Sequence, residues 1–348
     1  ALGQAERAQA QPPAHEIRIP KRMAVTDRIP NLDAFNTFPR WLAPTKLGGM
    51  GLAATDMAVQ QDGTVHILYQ DSGTPSISYG NNKPENRTKT GFGITTDLKT
   101  GGTLFPGDIA CTVDGKVTAA YLARSGSYKN LFVRQYNPAS GWAAEVQMTT
   151  GSAVNSGGVL TVTTFDAPAL SYDQNGGLHL LYHELYYEYN TSSGTYSAET
   201  LYLKYSLDLA AATTVTSGSG PNVSGTDWPA FTGSTVIQTH MDGSTAVPHI
   251  RWLQGTDATG IVYKTKYGYK SSGSWTLSDA SGTNSASGDL AVDEGGDAHI
   301  VYTTDATYYK KKVWGGSLGS AETVPGINGG SPQIAVGARK RPAVVGLS

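Results

Sequence analysis

One cysteine, few charges and no long apolar run set the first limits on this chain. Cys111 is the sole cysteine among 348 residues, so neither an internal disulfide nor a paired-cysteine zinc site can form. Its setting, Asp108-Ile109-Ala110-Cys111-Thr112-Val113, predicts a buried and inert thiol. Charged residues make up 16% of the chain, against about 25% in an average soluble domain. Lys and Arg number 26 and Asp and Glu 28, a formal net charge of -2. Without a field of one sign to hold a polyanion, nucleic acid is not an expected partner. No apolar stretch approaches the ~20 residues of a membrane-spanning helix, so no membrane span is expected. A Gly-rich phosphate loop, a Gly-x-Ser-x-Gly nucleophile turn and an Asp-x-Asp-x-Asp-Gly calcium loop are missing too. The sequence therefore predicts no cofactor and no dedicated metal site. No amphipathic helix of three turns is legible either.

In place of these the chain has glycine, 42 residues of it, and a repeated phrase. Gly63-Thr64-Val65-His66-Ile67-Leu68-Tyr69 returns as Gly177-Leu178-His179-Leu180-Leu181-Tyr182 and as Gly296-Asp297-Ala298-His299-Ile300-Val301-Tyr302. Fainter copies sit at Gly115-Lys116-Val117-Thr118-Ala119-Ala120-Tyr121 and at Pro248-His249-Ile250-Arg251-Trp252. Each is a turn followed by β-branched, aliphatic and aromatic residues, which reads as a strand. Taking the histidine as a ruler marks residues 66, 118, 179, 249, 299 and 343, a step of roughly 55 residues, longer than the ~40–45 of a WD40 blade. Unit five is the clearest. Its strands read as Asp289–Asp293, His299–Tyr302, Tyr308–Trp314 and Gly319–Val324, with a Glu294-Gly295-Gly296 hairpin turn after the first. Third strands elsewhere include Leu131–Tyr136, Leu201–Tyr205 and Val262–Tyr267, and fourth strands open near Trp142 and Trp275.

These units predict an all-β, six-bladed β-propeller, with seven blades as the alternative if residues 1–50 hold a degenerate blade. The last unit has only two strand candidates, Gln333–Val336 and Pro342–Gly346. Glu16–Ile19 and Arg40–Thr45 are expected to complete it, so that the N- and C-terminal strands share one blade and close the ring. Residues 1–15 read as a flexible leader and 16–348 as a single propeller domain. Removal of an export signal would account for a start at Ala1. The expected location is secreted or cell-surface, with the periplasm as a variant.

The repeats resemble those of secreted bacterial β-propellers grouped loosely with sialidase-like (BNR-type) families. The likeness covers about residues 52–346 and speaks to architecture more than activity. Arg18-Ile19-Pro20 and Arg28-Ile29-Pro30 match a sialidase triplet, but no clean Asp-box of the Ser-x-Asp-x-Gly-x-x-Trp type is present; Gly273-Ser274-Trp275 is the nearest fragment.

His66, His179, His249 and His299 belong to different units, so each is expected to be a buried packing element bonded to a backbone group. His183 and His240 fall outside the ruler. His183-Glu184, followed by Tyr186, Tyr187 and Tyr189, reads as a chemically loaded insert after a second strand, and His183, Glu184, Tyr186 and Tyr187 are the catalytic candidates. Ten residues before each ruler position stand Asp56, Asp108, Ala169, Thr239, Asp289 and Gln333. Asp56, Asp108, Asp289 and Gln333 are the ligand-binding candidates, placed to ring one mouth of the channel. The competing reading makes each aspartate a hydrogen-bond acceptor for backbone. Lys310-Lys311-Lys312 reads as a guard on an outer strand. Asn86, Asn190 and Asn222 open glycosylation acceptor triplets.

The function expected from this pattern is a non-catalytic binding or scaffold propeller holding a glycan or protein partner. One alternative is a polysaccharide lyase or glycoside hydrolase, and another is a structural subunit of a surface or filament assembly.

Overall fold

The computed structural model describes residues 52–71, 76–82, 94–219, 235–255, 263–282, 285–327, 331–336 and 340–346. The expected leader, the strand candidates Glu16–Ile19 and Arg40–Thr45, both Arg-Ile-Pro triplets, Asn86 and Asn222 lie outside the described residues.

Among the described residues every regular element is a strand, and the strands form six consecutive antiparallel sheets. The first holds β1 (Leu52–Val59), β2 (Val65–Asp71), β3 (Ser76–Asn82) and β4 (Ile94–Thr100). The second holds β5 (Leu104–Cys111), β6 (Val117–Ser125), β7 (Tyr128–Asn137), β8 (Gly141–Trp142) and β9 (Val146–Gln147). The third is longer: β10 (Ser152–Ser156), β11 (Val159–Tyr172), β12 (Leu178–Asn190), β13 (Thr195–Leu207) and β14 (Thr213–Ser219). The fourth comprises β15 (Val236–Asp242), β16 (Thr245–Gly255), β17 (Tyr263–Ser271) and β18 (Ser274–Asp279). The fifth comprises β19 (Ser287–Val292), β20 (Ala298–Thr303), β21 (Thr307–Lys312) and β22 (Glu322–Thr323). The sixth has β23 (Gln333–Val336) and β24 (Pro342–Val345).

The repeated phrase works as a turn with a fixed backbone. Gly63, Gly115, Gly176 and Gly296 each adopt a positive φ, between 83° and 85°, a conformation that costs glycine nothing. Each amide closes its turn on a carbonyl three residues back, at Gln60, Thr112, Asp173 and Asp293. The fourth sheet departs from this pattern. Its first hairpin turns at Gly243-Ser244, and β16 opens at Thr245, four residues before His249, whereas β2 opens at Val65, next to His66.

The strands that carry the repeated phrase, β2, β6, β12, β16 and β20, are buried on both faces, β20 along its whole length, which explains their unbroken apolar character. Alternate residues serve alternate neighbours. Ala119 and Tyr121 of β6 join Leu68, Ile77 and Tyr79 in a core shared with the first sheet. Ala120 and Leu122 join Phe165, Leu170 and Leu180 in a core shared with the third. The same division carries on through Ile250 and Trp252, then Ile300 and Tyr302, and lastly Val301 with Ile334. Each such side chain contributes about 1.5–3 kcal/mol by leaving water, so the contacts between sheets are the core of the molecule. Tryptophans add to them. Trp142, Trp275 and Trp314 set their rings against Tyr79, Tyr205 and Tyr269 of the preceding sheet, at 4.9, 5.3 and 5.4 Å between centroids.

Several expectations need correction. The fourth strand of the fifth sheet shrinks to Glu322–Thr323, and Gly141–Val146 splits into β8 and β9. Cys111 is half-buried, not fully so, and it touches a second cavity with Asp114, Lys116 and Asp173. Burial, with the Asp62 carboxylate adding to it, raises its thiol pKa, in keeping with an inert group. The lysine run lies on β21, not on an outer strand. Lys312 is buried with its ammonium 4.9 Å from the Tyr269 ring, and Lys311 pairs with Asp297 at 2.8 Å.

Candidate functional site

A cavity of about 760 Å³ is lined by residues at β1, β5, β11, β15, β19 and β23, one strand from each of the six sheets. Asp56, Asp108, Asp289 and Gln333 all face it, together with Ala167, Pro168 and Val236. Three of the six positions marked by the ruler are thus aspartates on one wall system. Thr239 is misplaced by that ruler. Asp56, Asp108 and Asp289 stand opposite Leu68, Ala120 and Val301, two residues past the ruler position. In the fourth sheet the residue opposite Arg251, two past His249, is Val236. The long β15–β16 hairpin moves the register by three, and Thr239 instead donates to the carbonyl of Tyr172 at 3.1 Å.

The aspartates clip one sheet to the next. Asp56 Oδ2 accepts the Ile109 amide of the second sheet at 3.0 Å. Asp108 Oδ2 accepts the Leu170 amide of the third at 2.5 Å, and Asp289 Oδ2 accepts the Ile334 amide of the sixth at 2.9 Å. Their Oδ1 atoms take the amide of the next residue in their own strand, Ile109 for Asp108 and Leu290 for Asp289, both at 2.8 Å. Gln238 does the same work from another position, accepting the Val292 amide at 3.0 Å. The acceptor reading of these residues therefore holds, with the partner lying in the neighbouring sheet.

Ile109 N–H is shared by Asp56 and Asp108, which brings two carboxylates together at the cavity wall. Burial, then the charge of Asp56 and a hydrogen bond with it, hold Asp108 well above the usual carboxylate range, against the pull of its two amide donors. Burial likewise raises Asp289, opposed by the Ile334 and Leu290 amides and by Arg251. Arg251 is fully buried behind the wall and burial lowers its guanidinium to about 10. A Cβ on Gly288 would meet the Val301 carbonyl at 2.2 Å and the Arg251 guanidinium at 3.1 Å, so only glycine fits there. Asp166, across the cavity, is paired with Lys129.

The ruler histidines take up a different task. His66, His179, His249 and His299 bond through Nδ1 to Tyr79, Tyr205, Tyr267 and Tyr309 on the next strand of their own sheet, at 2.7–2.8 Å. The partner is a phenol, where a backbone group was expected. None of the four is among the residues that line the cavity. Through Nε2, His179 meets Asp173 at 3.0 Å and His249 meets His240 at 2.8 Å. Burial first, then the nearby His240 and Lys312, bring His249 down to about 3.

The catalytic candidates do not assemble. The stretch from His183 is not a loop insert but the regular continuation of β12, with His183 opposite Asp166 and Leu203. Successive side chains on a strand point to opposite faces, so His183 and Glu184 diverge. His183 is buried, neither ring nitrogen has a hydrogen-bond partner, and burial lowers it to about 4 although Asp166 opposes this. Tyr187 shares its face and packs with Val162, Leu185 and Leu201. On the other face Glu184 pairs with Lys204 at 3.3 Å and Tyr186 donates to Glu188 at 2.6 Å. The alternation Leu185, Tyr187 against Glu184, Tyr186, Glu188 was legible as a strand. Gln70, Gln238, Ser287 and Asp166 also line the cavity, and no spacing rule in the sequence marks them. Among the described residues no cluster of three histidine, cysteine or acidic groups is arranged to hold a metal ion.

No model of a known protein family matches the chain, and no curated protein does. Solved structures resemble it in fold. The Hadza microbial sialidase Hz136 matches with a TM-score of 0.46 at 10% identity, over 83% of this chain and 61% of that one. The chain thus spans less than two thirds of that sialidase. Trypanosoma rangeli sialidase matches with a TM-score of 0.42 at 11% identity, over 82% and 48% of the two chains. The β-propeller domain of the Trilobed protease from Pyrococcus furiosus matches with a TM-score of 0.27 at 9% identity, over 84% and 91%. Sialidase-like and propeller proteins are what this chain resembles.

Proposed function

We propose that the six sheets are blades of a six-bladed propeller standing around the cavity, and that the molecule is an exported, non-catalytic module that holds a glycan there. The observation carrying this reading is the cavity itself, which draws its lining from β1, β5, β11, β15, β19 and β23, one strand of every sheet. Its amide and hydroxyl groups, from Gln70, Gln238, Gln333, Thr235 and Ser287, alternate with Phe105, Leu122, Met57 and Pro168. Hydrogen-bonding groups set among apolar surface match the hydroxyls and CH faces of a sugar. Absence of turnover is inferred because the acidic groups there are engaged as clips between sheets, while His183 and Glu184 point apart.

Titration of the labelled protein with an oligosaccharide panel, followed by amide chemical shifts, tests the reading. Shifts are expected at Asp56, Asp108, Gln238 and Gln333, with no new reducing ends and no rise in absorbance at about 235 nm. Shifts confined to β12 and β13 would defeat the site assignment, and turnover would favour the lyase or hydrolase alternative.

A further inference from the structure

We propose that two copies of this chain join edge to edge through β10, antiparallel and two-fold symmetric about Val154. The proposal is independent of what the cavity holds.

The third sheet has a strand outside the one that lines the cavity. β10 pairs with β11 and, among the described residues, with no other strand. All of Ser152–Ser156 is exposed, Val154 at 59%. Gly157 and Gly158, both at positive φ, form a two-residue hairpin turn, which makes Ser156 and Val159 a hydrogen-bonded pair. Alternation along the ladder then directs the backbone of Ser152, Val154 and Ser156 to β11, and turns the N–H and C=O of Ala153 and Asn155 outward. Free edges of this kind are ordinarily guarded by charge, proline, a bulge or brevity. Edges elsewhere in the molecule show such guards. β4 carries Asp97 and Lys99 beside a register shift, and β14 is shifted against β13. β18 ends on Asp279, held by Lys264 and Lys266. β22 is only Glu322–Thr323, and β24 opens with Pro342. From Gly151 to Leu160 the chain has neither charge nor proline, and the β10–β11 register runs unbroken.

Unpaired N–H and C=O groups in a row call for another extended backbone. Symmetry names the occupant. An antiparallel copy centred on Val154 sets Ala153 against the partner's Asn155, and Asn155 against the partner's Ala153. Both become hydrogen-bonded pairs, so every outward group of Ala153 and Asn155 is satisfied at once. Val154 then meets its own copy at a non-hydrogen-bonded position, where side chains come closest, and the pair covers the exposed β-branched surface. A two-fold contact sets each group against its counterpart, so a charge on β10 would repel itself, and β10 has none. A foreign peptide would make the same backbone bonds, but a second copy necessarily supplies an apolar residue opposite Val154.

Sedimentation of the full chain over a concentration series, with deuterium exchange on the same samples, tests this. A dimer with a Kd of about 10 μM to 1 mM is expected. In it the Ala153 and Asn155 amides should exchange about ten-fold more slowly, while Val154, bonded to β11 throughout, should not change. Val154→Lys alters an exposed position, so it should keep its melting temperature and dimerise at least about ten-fold more weakly. In a Cys111→Ser background Val154→Cys should cross-link on mild oxidation, because Cα atoms at such a position stand about 4.5 Å apart, within disulfide reach. Ala153→Cys, facing the partner's Asn155, should not cross-link. If Val154→Lys does not fold, the cross-linking and the exchange of the unaltered protein decide. A monomer at every concentration overturns the proposal. A dimer that survives Val154→Lys with the Ala153 and Asn155 amides unprotected overturns the assignment to β10. Cross-linking of Ala153→Cys as readily as Val154→Cys overturns the two-fold register.

Discussion

His183 keeps two ring nitrogens in the interior with no partner for either. An unsatisfied buried polar group costs about 1–3 kcal/mol, so His183→Leu, of similar volume, should stabilise the protein by about 1 kcal/mol at neutral pH. The pH dependence has a definite sign. His183 and His249 titrate at about 4 and about 3 when folded, below the ~6.5 of an exposed imidazole. The unfolded chain therefore takes up protons first. Their contribution is intact above pH ~6.5 and is lost as pH falls from there toward 3, at about 1.4 kcal/mol per unit for each group. Asp108 and Asp289, held high, act in the opposite direction, favouring the folded state as pH falls. Comparing urea midpoints of His183→Leu and the parent at pH 7 and 4.5 isolates the imidazole. The variant should lose less stability on acidification. An equal loss in both would show that His183 is not held neutral.

Strands in this protein are joined to their own sheet by ladders and to the next sheet by single side chains. Asp289 is such a joint: its carboxylate takes the Leu290 amide on its own strand and the Ile334 amide on the next sheet. Both donors are buried residues. Asp289→Ala leaves them unmet and should cost about 3 kcal/mol, whereas Asp289→Asn retains one acceptor and should cost about 1. Equal urea midpoints for all three proteins would refute the clip. Element boundaries also decided what the sequence could disclose. The Gly-turn and His-x-x-Tyr phrase marked hairpins and second strands correctly because turn chemistry and burial are local. The ruler failed in the fourth sheet, where a longer hairpin shifted the register from Thr239 to Val236. His183-Glu184 was misread as an insert because β11, β12 and β13 run far past the length of their counterparts.

At the scale of the whole molecule, β6, β12 and β20 each divide their side chains between two cores, so their sheets are not complete alone. The sixth sheet, with two strands, has the fewest partners among the described residues. The Val344 amide faces away from β23, because Ile334 opposite it donates to Asp289, so it should exchange slowly with deuterium if a further strand completes the sixth sheet. Exchange at the rate of an open edge would argue against a closed ring. Local preferences written in the residues decided the all-β class, the turns, the period and the aspartates at matching points of successive units. A turn glycine or a β-branched run acts over a few positions and can be read in one dimension. Tertiary structure alone decided that Asp56 and Asp108 share one amide, that Arg251 stays behind Gly288, and that His183 turns away from Glu184. Those outcomes depend on how far each hairpin extends and on how neighbouring sheets meet, over separations such as the 53 residues from Asp56 to Ile109, and no local pattern encodes contacts made at that distance.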